Sequence, residues 1–227
     1  MPRESLSDLT FAGSAISPFE ARVLGCLLEK EFSTPEIYPL TLNALVNACN
    51  QKNNRSPFMG LSPLEVEAAL ESLRLKRLAV LFSGADARVP KYRHTLDLIY
   101  PLEPVARALL TELLLRGPQT FAELRIRCER LTPLPRAEEI ETLLSELSSL
   151  PSGALIRTLP RQPGQKETRW AQLLTGELPA PHETSPDPPI APLALPAATE
   201  ARLSRLESEI VLLRSQLAAL RTSLGEP

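Results

Sequence analysis

Apolar positions along residues 17–175 fall into short helical registers, and several of these open with the same kind of punctuation. Ser17-Pro18-Phe19-Glu20 offers an N-cap, a proline at the first helical position and a capping-box glutamate. The spacing of Val23, Leu24, Leu27 and Leu28 then predicts a helix ending near Lys30. Pro35 and Pro39 delay a second helix to about Leu40, where Leu42, Leu45, Val46 and Cys49 give it an apolar face. The segment Asn50 to Pro57 is a polar turn rich in residues that tolerate left-handed backbone. Ser62-Pro63-Leu64-Glu65 repeats the start signal, and Val66, Ala69, Leu70 and Leu73 mark the inner side of a third helix.

After Arg77 the pattern changes to short apolar runs, Leu78 to Phe82 and Val89 to Tyr92, which predict a β-hairpin. The same order then recurs. A helix spans about Glu103 to Arg116, a second is boxed by Thr120 and Glu123 and runs to Arg130, and a third runs from Arg136 to Leu150. A hairpin follows in Leu155–Leu159 and Thr168–Leu173. Leu27 and Leu28 match Leu113 and Leu114, Val66, Leu70 and Leu73 match Ile140, Leu144 and Leu147, and Tyr92 matches Trp170. Three helices and a hairpin, twice, predict a mainly α fold with small β-hairpins: tandem winged-helix (winged helix-turn-helix) domains at 17–100 and 101–175 behind a flexible 1–16.

Seven prolines between Gly176 and Thr199, with no apolar periodicity, read as a linker over 176–198. Beyond it, Leu203, Leu206, Ile210, Leu213, Leu217, Leu220 and Leu224 alternate spacings of three and four. That is the seam of a C-terminal coiled-coil helix over 199–224, and a stripe so narrow is buried most cheaply against another copy of itself. Packing back onto a groove of the body is the alternative, and homo-oligomerisation through these residues is the favoured expectation.

Some segments carry a more specific likeness. Glu20-Ala21-Arg22-Val23-Leu24-Gly25-Cys26-Leu27-Leu28-Glu29-Lys30, Thr34-Pro35-Glu36, Tyr38-Pro39-Leu40-Thr41 and Ala48-Cys49-Asn50-Gln51-Lys52 with Asn54-Arg55 and Pro57 resemble the YceH-like family of bacterial proteins. Leu114-Leu115-Arg116-Gly117, Gln119-Thr120, Glu123-Leu124-Arg125, and Arg161-Gln162-Pro163-Gly164 with Arg169 extend the resemblance into the second half. It implies two winged-helix domains followed by a coiled coil, and it brings no catalytic residues.

Composition narrows the chemistry. Aromatic residues make up 4% of the chain and there are two histidines, His94 and His182, so few groups suited to acid-base or metal chemistry are present. Cys26, Cys49 and Cys128 are odd in number and widely spaced, which predicts reduced core thiols rather than disulfides or a metal half-site. No Gly-rich phosphate loop or nucleophile-base motif occurs, and neither an enzyme nor a cofactor is expected. Met1 to Asp8 has neither a basic nor an apolar leader and no apolar run is long enough to span a bilayer, so a cytoplasmic protein without membrane contact is expected.

Charge decides how the winged helices would be used. Residues 17–100 carry 10 Lys+Arg against 9 Asp+Glu, and residues 101–175 carry the same balance, so neither half is a basic domain. Glu65, Glu67 and Glu71 on one third helix, and Glu138, Glu139, Glu141 and Glu146 on the other, oppose the usual insertion of that helix among phosphates. Part of this acid simply suits helix N-termini. The cations cluster elsewhere. The turn offers Lys52, Asn53, Asn54 and Arg55, the first hairpin Arg88, Lys91 and Arg93, and the second Arg161, Lys166 and Arg169. These are the candidate nucleic-acid-binding residues, although turn asparagines and solvated cations are also ordinary loop features. The sequence therefore favours a DNA-associated protein, a transcriptional regulator contacting double-stranded DNA through turn and wings. The alternative is an adaptor that binds a protein partner through the same domains without DNA.

Overall fold

The computed structural model describes residues 15–82, 89–161 and 166–176, together with Glu209 and Gln216. The chain divides into two units, Met1–Pro181 and His182–Pro227. In the second unit Glu209 and Gln216 are helical and exposed. The seam residues Leu203, Leu206, Ile210, Leu213, Leu217, Leu220 and Leu224 lie outside the described residues, as does Arg88.

The first unit is mainly helical with small antiparallel sheets. Helix α1 (Pro18–Ser33) opens on the box read from sequence: Ser17 Oγ accepts from the Glu20 amide at 3.2 Å, and Glu20 Oε2 accepts from the Ser17 amide at 2.5 Å. It runs about one turn past Lys30 and ends with the Thr34 amide donating to the Lys30 carbonyl. Pro39 does not start the next helix; Leu40–Thr41 forms strand β1, and Thr41 then caps α2 (Leu42–Cys49) through Oγ1. Helix α3 (Pro63–Leu75) carries the Ser62/Glu65 box. Strands β2 (Ala79–Phe82) and β3 (Lys91–His94) follow, giving the sheet order β1-β3-β2. A short α4 (Leu96–Ile99) precedes the second half.

There α5 (Pro104–Arg116) ends at Gly117 with φ 72°, a left-handed turn that favours glycine. Helix α6 (Phe121–Cys128) has the Thr120/Glu123 box, and α7 (Ala137–Leu147) is followed by strands β4 (Ile156–Leu159) and β5 (Arg169–Gln172). The two halves share a detail absent from the sequence reading. Leu40 of β1 pairs with Tyr92, and Gln119, one residue before the α6 cap, bridges Trp170 with both backbone hydrogen bonds made. The chain closes on itself where the Ile16 amide donates to the Leu174 carbonyl at 2.8 Å.

One hydrophobic core runs through both halves. Val23, Leu24, Leu27 and Leu28 of α1 are fully buried, as are Leu109, Leu110, Leu113 and Leu115 of α5. The two helices pack antiparallel, since Glu31 near the end of α1 meets Arg107 near the start of α5 at 3.4 Å, while Gly25 lies against Leu114 and Leu115. A Cβ on Gly25 would stand 2.9 Å from Leu115 Cδ2 and 3.1 Å from Leu114 Cβ, so glycine allows the close crossing. The three cysteines are buried and free.

Candidate functional site

The polar turn after α2 holds residues of two kinds. Lys52 and Asn53 are exposed. Asn54 takes left-handed backbone at φ 61°, its side-chain oxygen accepts from Arg116, and its carbonyl accepts from Arg55. Arg55 is 7% exposed. Its guanidinium donates to both carboxylate oxygens of Glu29, to the Ala48 carbonyl and to Gln51 Oε1. Every face of that fork is used inside the protein, so Arg55 leaves the set of candidate DNA contacts, and Asn54 serves the turn and Arg116.

Arg55 belongs instead to a buried ionic seam between α1 and α5. Arg130, just past α6, reaches Glu29 at 2.8 Å and Glu112 at 2.6 Å, and Arg116 stands 3.1 Å from Glu112. Glu29 and Glu112 are essentially inaccessible. Burial alone would raise the Glu29 pKa, but the hydrogen bond and charge of Arg55, then those of Arg130, outweigh it and hold the carboxyl below its ordinary value. The same partnership keeps Arg55 above its ordinary value against the effect of its own burial. A second buried arginine, Arg22, donates to the carbonyls of Cys49 and Pro57 and so fixes both ends of the turn.

The first hairpin does present cations. Direct cross-strand partners share a face of a sheet, and the register pairs Phe82 with Lys91 and Val80 with Arg93. One face of the hairpin therefore holds Val80, Phe82, Lys91 and Arg93, all at least partly exposed. The other face holds Ala79, Leu81, Tyr92 and His94 and turns toward the body, with His94 only 4% exposed. His94 anchors the hairpin: its Nε2 lies 3.0 Å from Glu31, its Nδ1 accepts from the Leu96 amide, and its own amide donates to the Tyr38 hydroxyl. Hydrogen bonding to His94 comes first in holding the Glu31 carboxyl below its ordinary range, and Arg107 and Arg93 add to it.

In the second hairpin Arg161 and Lys166 are exposed and help line an open cleft of about 380 Å³ with Phe121, Ala122 and Thr168. Arg169 is committed locally, donating to the Pro118 carbonyl and to Glu123, both at 3.0 Å. The candidate cations do not form one patch. His94 and Arg107 place the first hairpin near the start of α5, whereas the turn and Arg169 meet its end, where the Ser56 amide donates to the Leu115 carbonyl. Arg107 and Arg116 are nine positions apart, roughly 14 Å along the helix axis.

Two features went unread in the sequence. Glu112 and Arg116 are an i,i+4 pair within α5, but Glu29 and Arg130 join them only through the packing of α1 and α6 on α5, which no local spacing announces. Leu64 and Leu75, by contrast, sit roughly 120–180° around α3 from the buried Val66, Leu70 and Leu73 at about 100° per residue. Leucines so far off the inner register are a signal the sequence did offer. Among the described residues no group of His, Cys, Asp and Glu is placed to hold a metal ion, and no described helix is long and apolar enough to cross a membrane.

Comparison with known proteins adds kinship. Residues 16–165 match the family model described as "Protein of unknown function, DUF480". The chain is 53% identical over 194 residues to a UPF0502 protein of Geotalea daltonii, covering 86% of this chain and 88% of the relative. It is 42% identical over 217 residues to a UPF0502 protein of Aeromonas hydrophila, covering 93% and 97%. A UPF0502 protein of Citrifermentans bemidjiense is 45% identical over 218 residues, covering 93% and 96%.

Proposed function

The chain belongs to the DUF480 family of proteins of unknown function, and from its geometry we propose a DNA-associated protein, a transcriptional regulator built on two winged helices. The repeated order of three helices and a hairpin, with an equivalent bridge at Leu40–Tyr92 and Gln119–Trp170, supports the winged-helix reading. The observation that carries the functional reading is the outer face of the first hairpin. Lys91 and Arg93 stand side by side there, outside the ion pairs that occupy Arg55, Arg116 and Arg130. Cations presented this way neutralise backbone phosphate, and the neighbouring Phe82 and Val80 supply apolar contact with sugar or base.

In this reading the hairpins lead. The exposed sides of α3 and α7 carry Glu65, Glu67, Glu71, Glu138, Glu139, Glu141 and Glu146, which repel phosphate if those helices enter a groove. Lys52 at the turn, and Arg161 with Lys166 at the second hairpin, add separate contacts. Each set is small. Pairing of chains through residues 199–224 multiplies them, and linked weak contacts gain by effective concentration. The proposed protein is cytoplasmic and has no catalytic activity.

Fluorescence anisotropy of the full-length protein against a mixed-sequence duplex tests the proposal. Binding at low salt that weakens steeply toward physiological salt is expected. Folded protein that fails to bind at either salt concentration removes the DNA reading.

A further inference from the structure

Helix α3 is amphipathic in an unusual sense, because its outer side also carries leucines. Leu64 is 77% exposed and Leu75 is 79% exposed, while Val66, Leu70 and Leu73 on the inner side are buried. Leu64, Ala68, Glu71 and Leu75 follow one another at i, i+4, i+7 and i+11, which places them on one stripe about 16 Å long. Glu65 and Glu67 flank the stripe and are exposed; Arg74 is drawn to Glu71 at 2.5 Å. The stripe is thus apolar at both ends, with excess negative charge along it.

A groove adjoins this face. It has a volume of about 420 Å³ and lies between the start of α2, α3 and the first hairpin; Leu42, Val89, Pro90 and Tyr92 give it apolar walls, and Glu67 stands at its edge. Val89 is 54% exposed although it is apolar. Thr41 also lines the groove and pairs directly with Lys91, so the groove borders the cationic face of the hairpin, with Glu67 on its α3 side.

We propose that the outer stripe of α3 and the adjoining groove form a docking surface for a basic amphipathic helix of a partner protein. Charge complementarity selects this occupant. Apolar anchors spaced over about three helical turns match Leu64 and Leu75, one further side chain fills the groove, and lysines or arginines beside the anchors meet Glu65, Glu67 and Glu71. Nucleic acid is unsuited to the same surface, because its phosphates meet carboxylates there. The acidic stripe lies on α3 and the cations proposed for DNA on β3, and the docking proposal stands whether or not DNA binds.

The test uses the full-length protein and two labelled synthetic helices of 14 residues, with leucines at i, i+4, i+7 and i+11. One has lysine and arginine at the flanking positions, and its twin has glutamate there. Anisotropy is expected to show the basic peptide binding at least 10-fold tighter than the acidic one. Glu67→Lys with Glu71→Lys, and separately Leu64→Gln with Leu75→Gln, are each expected to weaken it about 10-fold or more, with thermal stability unchanged because all four side chains are exposed. Equal binding of the two peptides overturns the proposal. Loss on charge reversal with no loss on leucine replacement also overturns it, since attraction without docking gives that result. A peptide of residues 199–224 is run beside them; if it binds the same face more tightly than the basic peptide, the surface belongs to a second copy of the chain and the partner reading falls.

Discussion

Lys52 and Arg55 stand three positions apart in one polar turn, yet solvent surrounds the first while the second is tied to Glu29, Ala48 and Gln51. Removing one partner from a buried ion pair leaves the other charge unsolvated and unpaired, so Arg55→Ala is expected to cost about 3–5 kcal/mol. Lys52→Ala, at an exposed site, is expected to stay within about 0.5 kcal/mol. Thermal or denaturant unfolding of the two variants checks the contrast; equal stability would contradict the buried role of Arg55. Glu29 makes a pH prediction of definite sign. Its folded pKa is depressed, so the stability it contributes is present above the unfolded value of about 4.3 and is lost as pH falls through the folded one. Glu29→Gln should therefore be less stable at neutral pH and should lose less stability on acidification below about pH 4 than the parent. Parallel acid-unfolding curves would show that Glu29 does not hold that linkage.

At the scale of elements, the crossing of α1 and α5 joins the two halves, and Gly25 lies in it with no room for a Cβ. Alanine there gains up to about 1 kcal/mol in helix propensity while crowding Leu115, so its net effect is small. Valine brings more bulk with a weaker propensity, and Gly25→Val is expected to destabilise by about 1–3 kcal/mol; a Tm equal to the parent's would mean that the helices can part there freely. The elements themselves were largely legible. Ser17/Glu20, Ser62/Glu65 and Thr120/Glu123 form the reciprocal boxes expected of them, because that chemistry is local to four residues. Strand β1 and helix α4 were missed because each is short and depends on distant partners: β1 on pairing with β3, and α4 on the His94 side chain that accepts from the Leu96 amide. The candidate site was legible only in part. Residue type identifies Lys91 and Arg93 as cations and alternation puts them on one face, but nothing local tells that Arg55 turns inward to a carboxylate 26 residues earlier.

At the scale of the whole molecule, the first unit carries two exposed surfaces of opposite character: a cationic, partly apolar hairpin face, and an acidic, leucine-bearing helix face. The overall charge of −2 hides this separation, and the balance within each half hides it as well. The proposed function draws its avidity from self-association, and removal of residues 199–227 is expected to lower the oligomeric state without unfolding the first unit. Sedimentation that gives the same number of chains per particle with and without those residues would contradict that expectation.

The central claim is that the first hairpin touches DNA phosphate. Its most direct test is the salt dependence of duplex binding by the parent and by the Lys91→Ala, Arg93→Ala double variant. Each phosphate neutralised contributes a log-log slope of about −0.9, so loss of both cations should weaken binding and flatten the slope by roughly 2. A variant that binds with the parent's affinity and slope would contradict the account.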